Sequence, residues 1–317
     1  MKRKSLWFVV IVAAVVVAGV GLDPTQVIVG KLAGDAFFQG RPTRYWMRSL
    51  RAGPARQAEA QSALEQGHAA GVPVLVEILT GYPSKQDAPA RCDAVELLAR
   101  LGPDAAAAGS AVAAGLNDRD PHVQAVCAAA LAKLEVPADT AVPQLRQLLK
   151  TTNAVVAARE LSRYRGAAAP AVPDLVALVN DKRQSTEIRW NAARTMAKIG
   201  PDAIDGLDAL IDALGDQDWL IREHSAEAIG ELGDAAAAKG VPALRHALSD
   251  PNARVRRDAV RSLGHFGESA RDAVPEITTL LDDEEEPVRK AAATALTAIA
   301  PETENAQRPE NGPSDPK

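Results

Sequence analysis

The chain has 317 residues, with 36 Lys+Arg against 41 Asp+Glu and a formal net charge of −5. Sixty-three alanines beside 3% aromatics favour closely packed helices and argue against a β-rich fold, which draws on Val, Thr and aromatic side chains. Two cysteines exclude a disulfide framework or a four-cysteine zinc site, and the mild acidity argues against a general nucleic-acid binder.

The N-terminus reads as a membrane segment. A basic run, Lys2-Arg3-Lys4, is followed by seventeen uncharged residues, 6–22, and then by Asp23-Pro24. At about 1.5 Å per residue the run spans roughly 25 Å, slightly short of a hydrocarbon core of about 30 Å. Such a length suits a secretory signal peptide or a short anchor; no clear A-x-A cleavage site follows, which favours an uncleaved signal anchor. The positive-inside rule then leaves the basic end in the cytoplasm and the rest across the membrane, or secreted if the segment is cleaved. Residues 23–40 have no clear pattern and read as a linker. Residues 301–317, with four prolines and one alanine as the sole aliphatic residue, read as a disordered tail.

Residues 41–300 repeat. Helix-like segments starting at 57, 91, 124, 154, 189, 222, 256 and 289 share one register with a period near 33. Three residues after each start stand Ala60, Ala94, Cys127, Ala157, Ala192, Ser225, Ala259 and Ala292, all small. Seven after stand Leu64, Leu98, Leu131, Leu161, Met196, Ile229, Leu263 and Leu296, all large and apolar; ten after, a third column is mostly large. Offsets of 3, 7 and 10 mark one face of a helix. A second helix precedes each one, often opening with Val-Pro as at Val72-Pro73, Val142-Pro143, Val172-Pro173, Val241-Pro242 and Val274-Pro275; proline is at home in a first helical turn. Asp118, Asp216, Asp250 and Asp283 lie in the intervening turns, six residues before the next start. Two helices cannot bury their apolar faces alone, so stacking predicts an all-α solenoid of about eight repeats.

The Val-Pro-x-Leu helix, the Asp turn and the Val/Ile-Arg-x-x-Ala-x-x-x-Leu helix resemble HEAT-like repeats, in particular the short bacterial kind also found in phycobilisome lyases. The resemblance is strongest in the last four copies; Gln57, Gln124 and Ala154 replace Arg in weaker ones. Phe38 to Pro42, followed by Tyr45-Trp46, is similar to the lead-in of membrane-anchored bacterial HEAT-repeat proteins, and Trp46 is expected to cap the apolar end of the stack.

The family it resembles includes enzymes, whose chemistry would show in specific residue patterns. Di-iron HEAT hydroxylases have repeated His-Glu pairs, whereas His68, His122, His224, His246 and His265 occupy unrelated repeat positions and none precedes a Glu. His224 and Asp258 share a column on neighbouring repeats, but helices about 10 Å apart do not bring such side chains together, so a solvated ladder is expected. Nucleotide-binding glycine motifs are absent. Cys92 and Cys127 stand at different offsets, and their pairing stays open. Arg189, Arg222, Arg256 and Arg289 are expected to meet turn aspartates and turn carbonyls.

Offsets five and nine point away from the core column and hold Arg100, Lys133, Arg159, Arg163, Arg194 and Lys198, with Trp190 nearby. The second helices of such solenoids usually line the concave face, where a basic stripe would steer an acidic protein segment or an anionic polymer. The sequence therefore predicts a non-enzymatic interaction scaffold at the bacterial cell envelope, using Arg159, Arg163, Trp190, Arg194 and Lys198 toward a protein partner. No cofactor, metal, nucleic acid or small-molecule substrate is expected, and the membrane is reached through residues 1–22. The alternative is a lyase-like HEAT-repeat enzyme that holds a chromophore or modifies a protein.

Overall fold

The computed structural model describes residues 25–301. The expected membrane segment, 1–22, and the tail from residue 302 onward lie outside them. Among the described residues no helix is long and apolar enough to cross a membrane.

The first element is a correction to the sequence reading. Instead of a linker, residues 27–42 form helix α1 (Val27–Ala33) and a short antiparallel hairpin, β1 (Phe37–Phe38) with β2 (Arg41–Pro42), paired Phe37 to Pro42 and Phe38 to Arg41. Polar anchors hold them, which is why no apolar period announced them. Asp35 takes a two-pronged ion pair from Arg44 at 2.6 and 2.7 Å, which keeps its carboxyl below the usual range. Glu77 accepts from the Ala36 amide at 2.6 Å and from the Thr43 hydroxyl at 2.5 Å.

Eight helix pairs follow. The first helices are α2 (Thr43–Leu50), α4 (Val72–Gly81), α6 (Gly109–Ala114), α8 (Ala138–Leu148), α10 (Val172–Asn180), α12 (Leu207–Ala213), α14 (Ala237–Ala247) and α16 (Val274–Thr279). Their partners are α3 (Pro54–Gln66), α5 (Ala88–Leu101), α7 (Pro121–Leu131), α9 (Ala154–Leu161), α11 (Thr186–Ile199), α13 (Trp219–Glu231), α15 (Ala253–His265) and α17 (Glu286–Ile299). Starts are written into the turns: Asp120, Asp218 and Asn252 accept from the amide two residues on, and Ser185 from the amide three on, satisfying donors that a helix start leaves open. Proline opens α4, α10 and α16 as expected. In α8 and α14, however, Pro143 and Pro242 lie inside the helix, which begins earlier, at Ala138 and Ala237.

The chain divides into two compact units, residues up to Tyr164 and residues from Arg165. The break falls in the 3-10 stretch Ser162–Ala171, where Arg165 adopts φ 49° and ψ −135°. Unit 1 holds α1 to α9, and unit 2 holds α10 to α17.

Both cores follow the repeat columns. Ala94, Cys127 and Ala157 in unit 1, and Ala192, Ser225, Ala259 and Ala292 in unit 2, are fully buried, as are Leu64, Leu98, Leu131, Leu161, Met196, Ile229 and Leu263. Burying one such large side chain contributes about 1.5–3 kcal/mol. Only Leu296 of that column is half-buried, since no described repeat follows it. Small residues also set the spacing between successive second helices. A Cβ on Gly230 would sit 2.7 Å from the Ser262 Cα, and one on Gly264 would sit 3.2 Å from the Ala295 Cα.

Trp46 closes the start of unit 1. It is buried, donates from Nε1 to the Phe38 carbonyl at 3.3 Å, and its ring packs on Phe38 and edge-on to Tyr45, at 5.4 and 5.5 Å. Phe38 in turn covers Gly67, where any Cβ would stand 2.2 Å from the ring.

Candidate partner-binding surface

Within each unit, arginines at the second-helix starts tie several helix pairs to the pair that follows. Arg222 donates from Nε and Nη2 to Asp250 at 2.6 and 2.9 Å, while Nη1 reaches back to the Asp216 and Gln217 carbonyls at 2.9 and 3.1 Å. Arg256 repeats the motif on Asp283, at 2.8 Å for both bonds, and on the Asp250 carbonyl at 2.9 Å. Arg189 reaches Asp216 at 2.6 Å and the Val179 carbonyl at 2.9 Å. Unit 1 has one full copy, Arg91 on Asp118 with the Tyr82 and Ser84 carbonyls, all at 2.7–2.8 Å. Arg289, in the last pair, keeps only the carbonyl half, on Asp283 and Glu284.

The weaker copies substitute neutral chemistry. Gln124 keeps the carbonyl bond, to Asp118 at 2.7 Å, and in place of an aspartate meets Asn153, whose amide donates to its Oε1 at 3.0 Å. Ala154 offers no guanidinium at all; in unit 2 the turn residue Asp181 pairs with its own neighbour Arg183, which lowers its carboxyl to about 2.

With the arginines of the turns accounted for, the second-helix faces remain as the candidate surface. In unit 1, α5 and α7 flank an open groove of about 520 Å³, floored by Ala99, Ala125 and Ala129 and rimmed by Glu96, Arg100 and Lys133. Arg100 is 3.2 Å from Glu65. Arg159 is exposed. Arg163, also exposed, lies 2.9 Å from Glu160, whose buried Oε2 is left without an aligned donor; burial raises the Glu160 carboxyl.

In unit 2, Trp190 stacks on His224, with ring centroids 4.8 Å apart and planes at 24°. His224 Nδ1 is 3.2 Å from one oxygen of Glu227, and Lys198 Nζ is 3.3 Å from the other. The His224 bond holds the Glu227 carboxyl at about 2. Arg194 is exposed and makes no ion pair among the described residues. One helix further, Arg257 forks onto Asp258 at 2.8 and 2.9 Å and reaches Glu223 at 3.2 Å. Between α15 and α17 a smaller groove of about 290 Å³ recurs at the same repeat offsets as that of unit 1, floored by Gly264, Ala291 and Ala295 and edged by Arg261 and His265.

Two sequence expectations change here. His224 and Asp258 do not form a solvated ladder: each is drawn inward by a different partner, Glu227 and Arg257, and Asp258 is buried. The basic positions are not a row of bare charge, because Glu160 and Glu227 partner Arg163 and Lys198. The sequence reading did not foresee these pairings, although Glu227 sits three residues after His224 on the same helix. Arg159 and Arg163 belong to unit 1, whereas Trp190, Arg194 and Lys198 belong to unit 2. Cys92 and Cys127 are free buried thiols. Among the described residues, no group of three or more His, Cys, Asp or Glu is placed to hold a metal ion.

Paired helices in a fixed register, bound by an arginine ladder, define a helical-repeat protein. The sequence profile for HEAT repeats matches residues 172–241 and 241–308, so the helix pairs of unit 2 are similar to HEAT repeats. Importin beta has a similar fold, with TM-score 0.57 at 14% identity over 81% of this chain, which spans 40% of the importin chain. An engineered protein aligns over 81% of this chain and 96% of its own, at 21% identity and TM-score 0.40. The complex of CpcE and CpcF of phycocyanin lyase from Nostoc aligns over 49% of this chain and 97% of its own, at 24% identity and TM-score 0.41. Among curated protein sequences, none matches.

Proposed function

We propose that the protein is a non-enzymatic interaction scaffold of the bacterial cell envelope, tethered through residues 1–22, which binds a protein partner along its second-helix faces. The observation that supports this reading most is the repeat-equivalent pair of open, alanine-floored grooves, α5 with α7 and α15 with α17. Small residues at the floor leave room for a partner's side chains, and charged rims supply orientation rather than bulk affinity. In unit 2, Trp190 and Arg194 add an aromatic face and an unneutralised cation, a combination common at binding hot spots. Acidic segments of a partner suit Arg194 and Lys133 better than Arg163 and Lys198, whose charge is partly spent inside the chain.

The test is affinity capture from crosslinked native membranes. Wild type is compared with Ala129→Arg, which fills the unit 1 groove, and with Trp190→Ala/Arg194→Glu in unit 2. A partner retained by wild type and lost by a folded variant supports the scaffold reading and assigns the face. Capture unchanged by both variants removes these faces from it. A visible absorbance band on the purified protein favours the chromophore-holding alternative instead.

A further inference from the structure

We infer that the exposed face of α1, together with Lys31 and Arg48, docks on the surface of an anionic phospholipid bilayer. The inference rests on the proposed membrane tether. It starts from an anomaly of burial: among the described residues only three large hydrophobic side chains are exposed, Leu32 at 74%, Ile28 at 45% and Leu281 at 38%. Two of the three share one short helix. Ile28, Lys31 and Leu32 are spaced i, i+3 and i+4, so they share one side of the helix, with the cation flanking the two apolar groups. Such a face is what a helix lying at a headgroup boundary presents.

Charge around this helix is opposite to that of the chain. Residues 25–53 contain five basic side chains, Lys31, Arg41, Arg44, Arg48 and Arg51, against one acid, Asp35, although the whole chain is at −5. Internal partners neutralise Arg44 through Asp35 and Arg51 through Asp87, while Arg41 lies 4.2 Å over the Tyr45 ring. Lys31 and Arg48 remain, both exposed. Arg48 lines a groove of about 450 Å³ with Gln26 at the start of α1, Arg44 and Arg51, so the basic row of α2 adjoins the helix.

Chain geometry supplies the location. The uncharged run ends at residue 22, and only residues 23–26 separate it from α1. Four residues extend at most about 14 Å, so a run held in the bilayer keeps α1 at its surface. Held there, even weak contacts are populated, because the tether makes them intramolecular. The helix itself is fixed to the folded body, since a Cβ on Gly30 would lie 2.3 Å from Pro42 and Gly34 caps its end on the Gly30 carbonyl. It therefore reaches the membrane as a preformed face.

The experiment uses the full chain with Ala33→Cys labelled by an environment-sensitive fluorophore; Cys92 and Cys127 are buried and stay unlabelled. The protein is reconstituted into vesicles of phosphatidylcholine and of phosphatidylcholine with phosphatidylglycerol, and flotation and emission are read together. The expected result is a blue-shifted emission in the anionic vesicles, reduced by Lys31→Glu/Arg48→Glu and abolished by Leu32→Asp, with flotation equal for all. Floating protein whose probe emits as in water overturns the docking face and leaves the tether standing. Protein that does not float overturns both. A shift that grows with protein concentration in detergent micelles without lipid assigns the face to a second copy of the chain, and overturns the inference.

Discussion

Arg165→Gly is expected to stabilise the protein. Eleven residues after each second-helix start the backbone turns through a positive φ in seven of the eight repeats: His68, Gly102, Glu135, Arg165, Gly200, Gly233 and Gly267. Arg165, at φ 49° and ψ −135°, shares the conformation of Gly102 (55°, −125°) and Gly200 (79°, −143°). That region is nearly closed to residues with a Cβ, and holding one there costs on the order of 1–3 kcal/mol. Glycine relieves the strain but brings about 0.5–1 kcal/mol of additional unfolded-state freedom. The Arg165 side chain is exposed, so little else is lost and the net gain is about 0.5–2 kcal/mol. Gly200→Ala is the mirror experiment. Its Cβ meets nothing nearer than the Glu231 carbonyl at 3.7 Å, so its loss of about 1–3 kcal/mol is conformational rather than steric. Urea unfolding followed by helical circular dichroism measures both, with an unchanged m-value showing that the surface exposed on unfolding is the same. Destabilisation by Arg165→Gly, or no effect of Gly200→Ala, would refute the strain account.

Further outcomes follow from the ladder, the helix contacts and the titrating groups. Arg222→Ala should cost about 2–4 kcal/mol, because it leaves Asp250 nearly buried without its cation. By contrast Lys239→Ala, which breaks an exposed pair with Asp208, should cost under about 1 kcal/mol in the same urea experiment. Gly230→Ala forces a Cβ against the Ser262 backbone and should cost about 1–3 kcal/mol, and Ser262→Ala should not rescue it. Glu227 has a folded pKa near 2 against an ordinary 4.5, so its contribution is complete above 4.5 and is lost as pH falls toward 2. The stability gap between wild type and Glu227→Gln should therefore close over that window, and a gap independent of pH would contradict it. Burial pushes the Cys92 thiol up to about 11 and Cys127 higher still. Both should resist a thiol reagent at neutral pH until denaturant opens the fold, and rapid labelling of the native protein would show the packing to be looser.

Much of this protein was legible in its sequence, because a repeat states its rules several times over. The columns three and seven residues into each second helix locate the core, since a 3.6-residue period leaves those side chains no other face. The arginine ladder was foreseeable for the same reason: Arg222 and Asp250 recur as Arg256 and Asp283 at almost the same separation. Only three dimensions decided what has no period. The hairpin and α1 are fixed by polar contacts from Glu77, distant in the chain, and from Arg44, both unremarkable in pattern. The basic positions could be read from offsets five and nine. Their neutralisation by Glu160 and Glu227 depends on which rotamers meet across and along helices, and Asn153 opposite Gln124 becomes a pair only when the two turns are adjacent. Periodicity encodes which side of a helix is buried, whereas the chemistry left on the exposed side is settled by distances that no one-dimensional pattern contains.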